Sequence, residues 1–252
     1  MRDAVLSIIV PVFNEGKTIR QALNRLLALP LNTQIIVVDN GSTDGTSAEL
    51  RSFMESPRIT MIHYDSEQGK GAAVRRGLRE AGGEYVVIQD GDLEYDPEDL
   101  VRMFRLMEER RLNALFGSRI LNPQASASYR RYYWGGRFLS WLANRLFGLK
   151  ITDEATCYKM IKRDILLSMD LQCVRFEFCP EVVAKLGLAG IEIEEIPIAY
   201  NPRSIAEGKK IRWIDGLEAI CTLLRLSVLD FENRSGGRES TIEKKRPQQS
   251  ND

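Results

Sequence analysis

The sequence predicts an α/β fold built on a mostly parallel sheet with helices on its faces. Two observations carry that prediction. Short apolar runs recur from the N-terminus to Ser118, and segments with helical spacing lie between them. Strands buried on both faces read as near-continuous hydrophobic runs, which is the mark of a parallel, helix-covered sheet.

The elements follow in order. Val5 to Val12 reads as a buried strand, and Thr18 to Leu29 as a helix with Ile19, Leu23, Leu26 and Leu27 on one face. Gln34 to Asp39 is a second strand and Asp44 to Glu55 a second helix. Ile59 to Tyr64 is a third strand, followed by a helix from Ala72 to Ala81. Glu84 to Gln89 is a fourth strand. Pro97 to Arg110 is a helix with proline in its first turn, where the missing N–H costs nothing. Ala114 to Ser118 is a fifth strand. Beyond it, Phe176 to Leu188 and Trp213 to Leu229 read as helices and Ile191 to Tyr200 as a strand. The reading assigns 1–230 to one domain. It assigns 231–252 to a polar tail too poor in apolar surface to order itself.

Composition narrows the function. The 252 residues carry zero formal net charge, so no global basic field draws in nucleic acid. The four cysteines, Cys157, Cys173, Cys179 and Cys221, form no C-x-x-C pair, and the one histidine, His63, lies far from them. A zinc site is not expected, and the thiols read as reduced residues of a cytosolic protein. No secretory signal is recognisable, and no apolar run is long enough to span a bilayer.

In open α/β sheets ligands sit at the carboxyl ends of the strands. Three of those ends are acidic here. The first closes with Pro11-Val12-Phe13-Asn14-Glu15, the second with Asp39-Asn40-Gly41-Ser42-Thr43-Asp44-Gly45, and the fourth with Asp90-Gly91-Asp92-Leu93-Glu94. Such a cluster is costly unless a cation sits among the carboxylates. Alternate residues of an extended segment point the same way, so Asp90, Asp92 and Glu94 can face one ion. All-oxygen ligands suit Mg2+ or Mn2+, and a surface turn is the competing reading. Asp39 is placed to accept hydrogen bonds from a base or ribose, or to close an Asx turn. Asp44 reads as a helix cap. Gln68-Gly69-Lys70-Gly71-Ala72 precedes a helix and suits either a phosphate at Gly71 or a plain loop.

Taken together, these motifs resemble family 2 glycosyltransferases of the GT-A fold. The resemblance continues through Phe116-Gly117-Ser118-Arg119, Thr152-Asp153, Thr156-Cys157-Tyr158-Lys159, Arg203 and Glu207-Gly208-Lys209-Lys210. The later motifs look most like polyprenyl- or dolichyl-phosphate sugar synthases. The resemblance implies that Pro11, Asn14, Glu15 and Asp39 hold the nucleoside of a nucleotide-sugar donor. It implies that Asp90, Asp92 and Glu94 hold the metal and diphosphate. Many relatives have glutamine at the position of Glu94. Arg119, Arg131, Arg203 and Lys209 are implied around the acceptor phosphate or the donor diphosphate, and many relatives carry C-terminal membrane helices.

The chemistry is consistent with that implication. A lipid monophosphate, with a second pKa near about 6, is mostly dianionic at neutral pH and needs no general base. A sugar or protein hydroxyl would need one, and Asp153 and Glu177 are the candidates. Tyr129 to Trp134 mixes aromatics with arginines, and Arg137 to Leu149 continues with Phe138, Trp141 and Arg145. That pattern suits a helix in the headgroup plane, attached peripherally to the cytoplasmic face of a membrane. In Trp213 to Leu229, the face bearing Trp213, Leu217, Ile220, Cys221, Leu224 and Val228 reads as core first and as a membrane-facing surface second.

Overall fold

The computed structural model describes residues 6–122, 130–203 and 213–243; within these, the side chains of 130–133, 213 and 230–243 are not described. Seven strands form one mixed sheet in the order β3-β2-β1-β4-β6-β5-β7. The first half is β1 (Leu6–Val12), α1 (Ile19–Leu27), β2 (Thr33–Asp39), α2 (Thr46–Arg51), β3 (Ile59–His63), α3 (Lys70–Glu80) and β4 (Tyr85–Ile88). β1, β2, β3 and β4 pair in parallel, with Val12 opposite Asp39 and Ile9 opposite Ile88. β1 and β2 are almost wholly buried, as their unbroken apolar runs require. Pro11 stands beyond the last β1–β4 partner pair, Ile9–Ile88, where β1 has lost one neighbour.

The chain winds from β1 to β2 and β3 on one side, then returns to place β4 on the other. That reversal opens a crevice at the carboxyl ends of β1 and β4. Helix α3 lies against β1 and β2 at unusually short range. A Cβ on Gly77 would stand 2.6 Å from Ile9 Cγ2.

The second half comprises α4 (Glu98–Arg110), β5 (Ala114–Ser118), α5 (Arg130–Phe147), β6 (Lys159–Lys162), α6 (Arg163–Ser168), α7 (Phe178–Leu188), β7 (Glu194–Pro197) and α8 (Trp213–Glu243). β6 runs antiparallel to both β4 and β5, and β7 parallel to β5. The apolar pattern hides β6 because it opens on Lys159, a lysine with no exposed surface. Its Nζ donates to the Glu154 carbonyl at 2.7 Å and to the Thr156 carbonyl. The four cysteines are unpaired, and no described helix is long and apolar enough to cross a membrane.

Three expectations change. Helix α2 is half the length its spacing suggested, because its last turn unwinds before Phe53 enters the core. Helix α8 continues to Glu243, into the segment read as an unordered tail; extending a nucleated helix adds one bond per residue fixed. The face of α8 read as core points outward. Leu217, Cys221, Leu224 and Val228 are exposed, while Asp215, Ala219, Thr222 and Leu223 turn inward.

The α3–β1 contact yields a stability test. Gly77→Ala raises helix propensity, yet its methyl meets a β-branched side chain that cannot swing away. We expect a net loss of about 1–2 kcal/mol, read as a lower denaturant midpoint at unchanged slope.

Candidate active site

The strand register brings the acidic ends together. Asn40 N donates to the Val12 carbonyl at 2.8 Å and Gln89 N to the Ile9 carbonyl at 2.9 Å, so the loops after β1, β2 and β4 leave the sheet side by side. The carboxylates there are joined by one guanidinium. Arg203 donates from Nη1 to Glu15 Oε2 at 3.0 Å, from Nη2 to Asp92 Oδ2 at 2.7 Å, and from Nε to Glu94 Oε1 at 3.2 Å. Asp90 has a separate partner, Lys70 Nζ, at 2.5 Å.

Burial and charge set the protonation of this group. Burial pushes the Asp92 carboxyl up, Asp90 and Glu94 push it further, and Arg203 pulls it back, leaving it at about 7. Burial would also raise Asp90, but Lys70 outweighs it and holds Asp90 below the ordinary carboxylate range. Three oxygen-bearing side chains therefore crowd one cation while a fourth is paired elsewhere. Among the described residues no group of three or more His, Cys, Asp or Glu side chains is arranged to hold a metal.

The loops themselves are stitched by short polar side chains. Asn14 has a positive φ of 53°, tolerated by asparagine, and its Oδ1 accepts Thr43 N at 2.8 Å. Its own N–H donates to Ser42 Oγ at 3.0 Å. Asp39 Oδ1 accepts Ser42 N, three residues on, at 3.1 Å, which closes the loop after β2. Its Oδ2 accepts Ser47 Oγ at 2.8 Å and lies 3.2 Å from His63 Nδ1. Asp44 accepts Thr46 N at 2.8 Å, as a cap does.

The start of α3 is closed by the chain itself. Gly71 was read as either a phosphate cradle or a plain loop; its N–H donates to the Arg175 carbonyl at 2.9 Å, and Ala72 N donates to the Val174 carbonyl at 2.9 Å. The first turn of α3 is plugged by the chain's own 172–177 strap. Glu177 and Glu181 cap that strap, accepting Val174 N and Arg175 N, and Gln172 N and Cys173 N, at 2.7–2.8 Å.

A second cation lies behind the first. Arg119 is buried and makes a two-pronged pair with Asp153, Nε to Oδ2 and Nη2 to Oδ1, both at 2.7 Å. Burial favours the neutral Asp153 carboxyl, but Arg119 outweighs it and holds Asp153 below the usual range. Glu195 fastens the loop, accepting Thr152 N at 2.7 Å and Asp153 N at 3.1 Å. The Arg119 guanidinium stands 5.0 Å from the Tyr200 ring, and the Tyr200 hydroxyl donates to Glu94 Oε2 at 2.5 Å. An unbroken polar path therefore runs from Asp153 to Asp92.

The structure thus gathers Glu15, Asp90, Asp92, Glu94 and Arg203, with Arg119 one contact away. Pro11, Asn14 and Asp39 line the same edge. The backbone of Arg131 lies in α5 but its side chain is not described, and Lys209 lies outside the described residues. Lys70 and Tyr200 were missed as site residues. Lys70 stands within the Gly69-Lys70-Gly71 signal, but its pairing with Asp90 is a tertiary fact.

With that geometry in place, comparison with known proteins defines the class. The chain belongs to glycosyl transferase family 2, whose sequence model matches residues 7–168. It is 29% identical over 212 residues to the dodecaprenyl-phosphate galacturonate synthase of Rhizobium johnstonii, covering 79% of this chain and 59% of that protein. It is 27% identical over 238 residues to the undecaprenyl-phosphate mannosyltransferase of Micrococcus luteus, covering 86% and 91%. It is 24% identical to the dolichol-phosphate mannosyltransferase of Pyrococcus furiosus, covering 81% and 58%. The chain therefore spans under two thirds of two of these relatives and nearly all of the third. The glucosyl-3-phosphoglycerate synthase of Mycobacterium tuberculosis, crystallised with Mn2+, UDP and glucosyl-3-phosphoglycerate, superposes with a TM-score of 0.64 at 18% identity. That match covers 89% of this chain and 80% of the synthase, and it establishes the shared GT-A fold.

Glu154, next to Asp153, supplies a pH test. It is buried, and its Oε1 has no hydrogen-bond partner. Burial pushes its carboxyl up to about 7 from an ordinary 4.5. The folded value lies above the unfolded one, so the stability this group contributes is complete below the unfolded value and is lost as pH rises through about 7. Between about pH 5 and 8 the chain should lose on the order of 2 kcal/mol through this group. Glu154→Gln cannot ionise and should flatten that part of the curve. Parallel pH–stability curves for the two proteins would refute the assignment.

Proposed function

We propose that this chain is an inverting hexosyltransferase that moves a sugar from a nucleotide sugar to a polyprenyl phosphate at the cytoplasmic face of a membrane. One observation carries the reading: both carboxylates available as a base for a hydroxyl acceptor are occupied. Asp153 is locked on Arg119, and Glu177 accepts two backbone N–H groups. A dianionic phosphate needs no such base, and fixed arginines suit it. Relatives named for dodecaprenyl, undecaprenyl and dolichol phosphates support the acceptor class, and their differing sugars leave the hexose open.

The residues fit a hard divalent cation, Mg2+ or Mn2+, by donor chemistry. Asp90, Asp92 and Glu94 offer only oxygen, and a donor diphosphate would complete the shell. Bound there, the metal would stabilise charge on the departing diphosphate. In the chain itself, Asn14, Glu15 and Asp39 would seat the nucleoside at the ends of β1 and β2. Arg119, held in one orientation by Asp153, would fix an anion beside the strand ends. In-line attack by the acceptor oxygen would invert the anomeric carbon.

Peripheral attachment is supported by α5. Trp134, Phe138 and Trp141 are exposed on one face with Arg145, while Ser140, Ala143 and Phe147 on the other face are buried. Aromatics with arginine on an outward helix face suit the headgroup region.

The decisive assay incubates the protein with Mn2+ or Mg2+, a polyprenyl phosphate and a panel of labelled nucleotide sugars, then measures label in the organic phase. We expect lipid-dependent label that is abolished by Asp92→Ala. Arg119→Lys should lower it by about a hundredfold, because lysine cannot make the planar fork. Label appearing only on sugar or protein acceptors would reject the phosphate reading. The double change Phe138→Ser and Trp141→Ser should reduce sedimentation with anionic phospholipid vesicles by at least about tenfold. Unchanged sedimentation would remove α5 from the membrane contact.

A further inference from the structure

We infer that Arg203 is the counter-cation of the strand-end carboxylates Glu15, Asp92 and Glu94, and that a divalent metal with a nucleoside diphosphate must displace it from them. The inference rests on the donor-site reading above and adds to it an exchange of one cation for another.

The geometry leads there in three steps. First, the guanidinium uses all three of its nitrogens on the strand-end carboxylates, Nη1 and Nη2 on Glu15, Nη2 on Asp92 and Nε on Glu94. It thereby engages Asp92 and Glu94, two of the three carboxylates proposed to hold a metal. Second, the acidic side chains are saturated. Asp92 Oδ2 accepts Arg203, and Oδ1 accepts Glu94 N at 3.0 Å. Glu94 Oε1 accepts Arg203, and Oε2 accepts the Tyr200 hydroxyl at 2.5 Å. Glu15 Oε2 accepts both Arg203 and Thr18 Oγ1 at 3.0 Å. A metal ion on Asp92 Oδ2 would sit within a few ångströms of a fixed positive charge, at about 20% side-chain exposure or less, where repulsion is poorly screened. The two cations therefore compete.

Third, Glu94 is built to keep Arg203 in place. Its carbonyl accepts Asn201 N at 2.8 Å, its neighbour Tyr95 bridges Tyr200, and its carboxylate accepts Arg203 N at 3.2 Å as well as the side chain. The end of β4 and the 200–203 segment are thereby fastened together. A neutral glutamine here would keep the backbone contacts with one charge fewer. Glu94 is thus a positioning residue, and the extra carboxylate strengthens the hold on Arg203.

Two consequences follow. Metal alone should bind weakly, because it must evict a guanidinium with nothing to receive it. Metal and diphosphate together should bind cooperatively, because the diphosphate offers the evicted guanidinium a new anion, and that coupling is reciprocal.

Mn2+ binding followed by the loss of the free-ion paramagnetic resonance signal reads this directly, without turnover. Titrations of the wild-type chain, Arg203→Gln and Arg203→Lys would be run alone and with GDP or UDP. We expect Arg203→Gln to bind Mn2+ alone about tenfold more tightly than wild type, and the gain from added diphosphate to shrink by a similar factor. Arg203→Lys keeps the charge but spans fewer carboxylates, and should fall between; it also serves if the glutamine variant does not fold. Unchanged or weaker Mn2+ binding in both variants, with cooperative binding intact, would overturn the exchange while leaving the donor site standing. No Mn2+ binding to wild type with either diphosphate would overturn both.

Discussion

The convergence of carboxylates on one edge of the sheet is the constraint from which the rest of the site follows. Parallel strands that end in register deliver their loops to one place, and here those loops carry Glu15, Asp90, Asp92 and Glu94. Like charges at that range are unstable without counter-charge. The fold answers with Lys70 from the start of α3 and Arg203 from beyond β7, and both are drawn in from distant sequence. Activity and stability are therefore written in the same contacts. The residues proposed to manage a diphosphate are also those that keep the acidic sheet edge from repelling itself.

Behind this edge, a second layer acts by holding. Asp153 accepts three N–H groups from Arg119, one of them from the backbone, and Glu195 accepts from the loop that carries Asp153. Such layers convert a flexible cation into an oriented one, which matters where the planar guanidinium must meet an anion at one angle. The cost is visible nearby. Glu154 and Thr156 each leave a buried oxygen without a partner, beside a lysine that has no exposed surface.

The strands β1 to β5 and the helices α1, α3, α4 and α7 were legible because each obeys one period over its whole length. The acidic strand ends were legible because strand-end chemistry is local in sequence. What escaped was non-local. β6 is four residues flanked by lysines, and only the carbonyls of Glu154 and Thr156 make Lys159 tolerable inside. The partnership of Lys70 with Asp90 joins residues on separate elements. Gly71 misled because a glycine before a helix suits any close backbone approach, and here the approaching group is the carbonyl of Arg175 rather than a ligand. The outward face of α8 misled because its apolar spacing is shared with a core helix, and only packing says which side turns in.

The strap that plugs α3 also bears on where this domain ends. The family match stops at residue 168, yet the amides of Gly71 and Ala72 donate to carbonyls at 175 and 174, and Glu15, Asp92 and Glu94 take their counter-charge from residue 203. A fragment cut at the limit of family similarity would expose a helix terminus with orphaned donors and a sheet edge with surplus negative charge. The smallest unit that could stand alone is thus set by hydrogen-bond closure and charge balance. It runs at least to Arg203, well past the boundary drawn by sequence likeness.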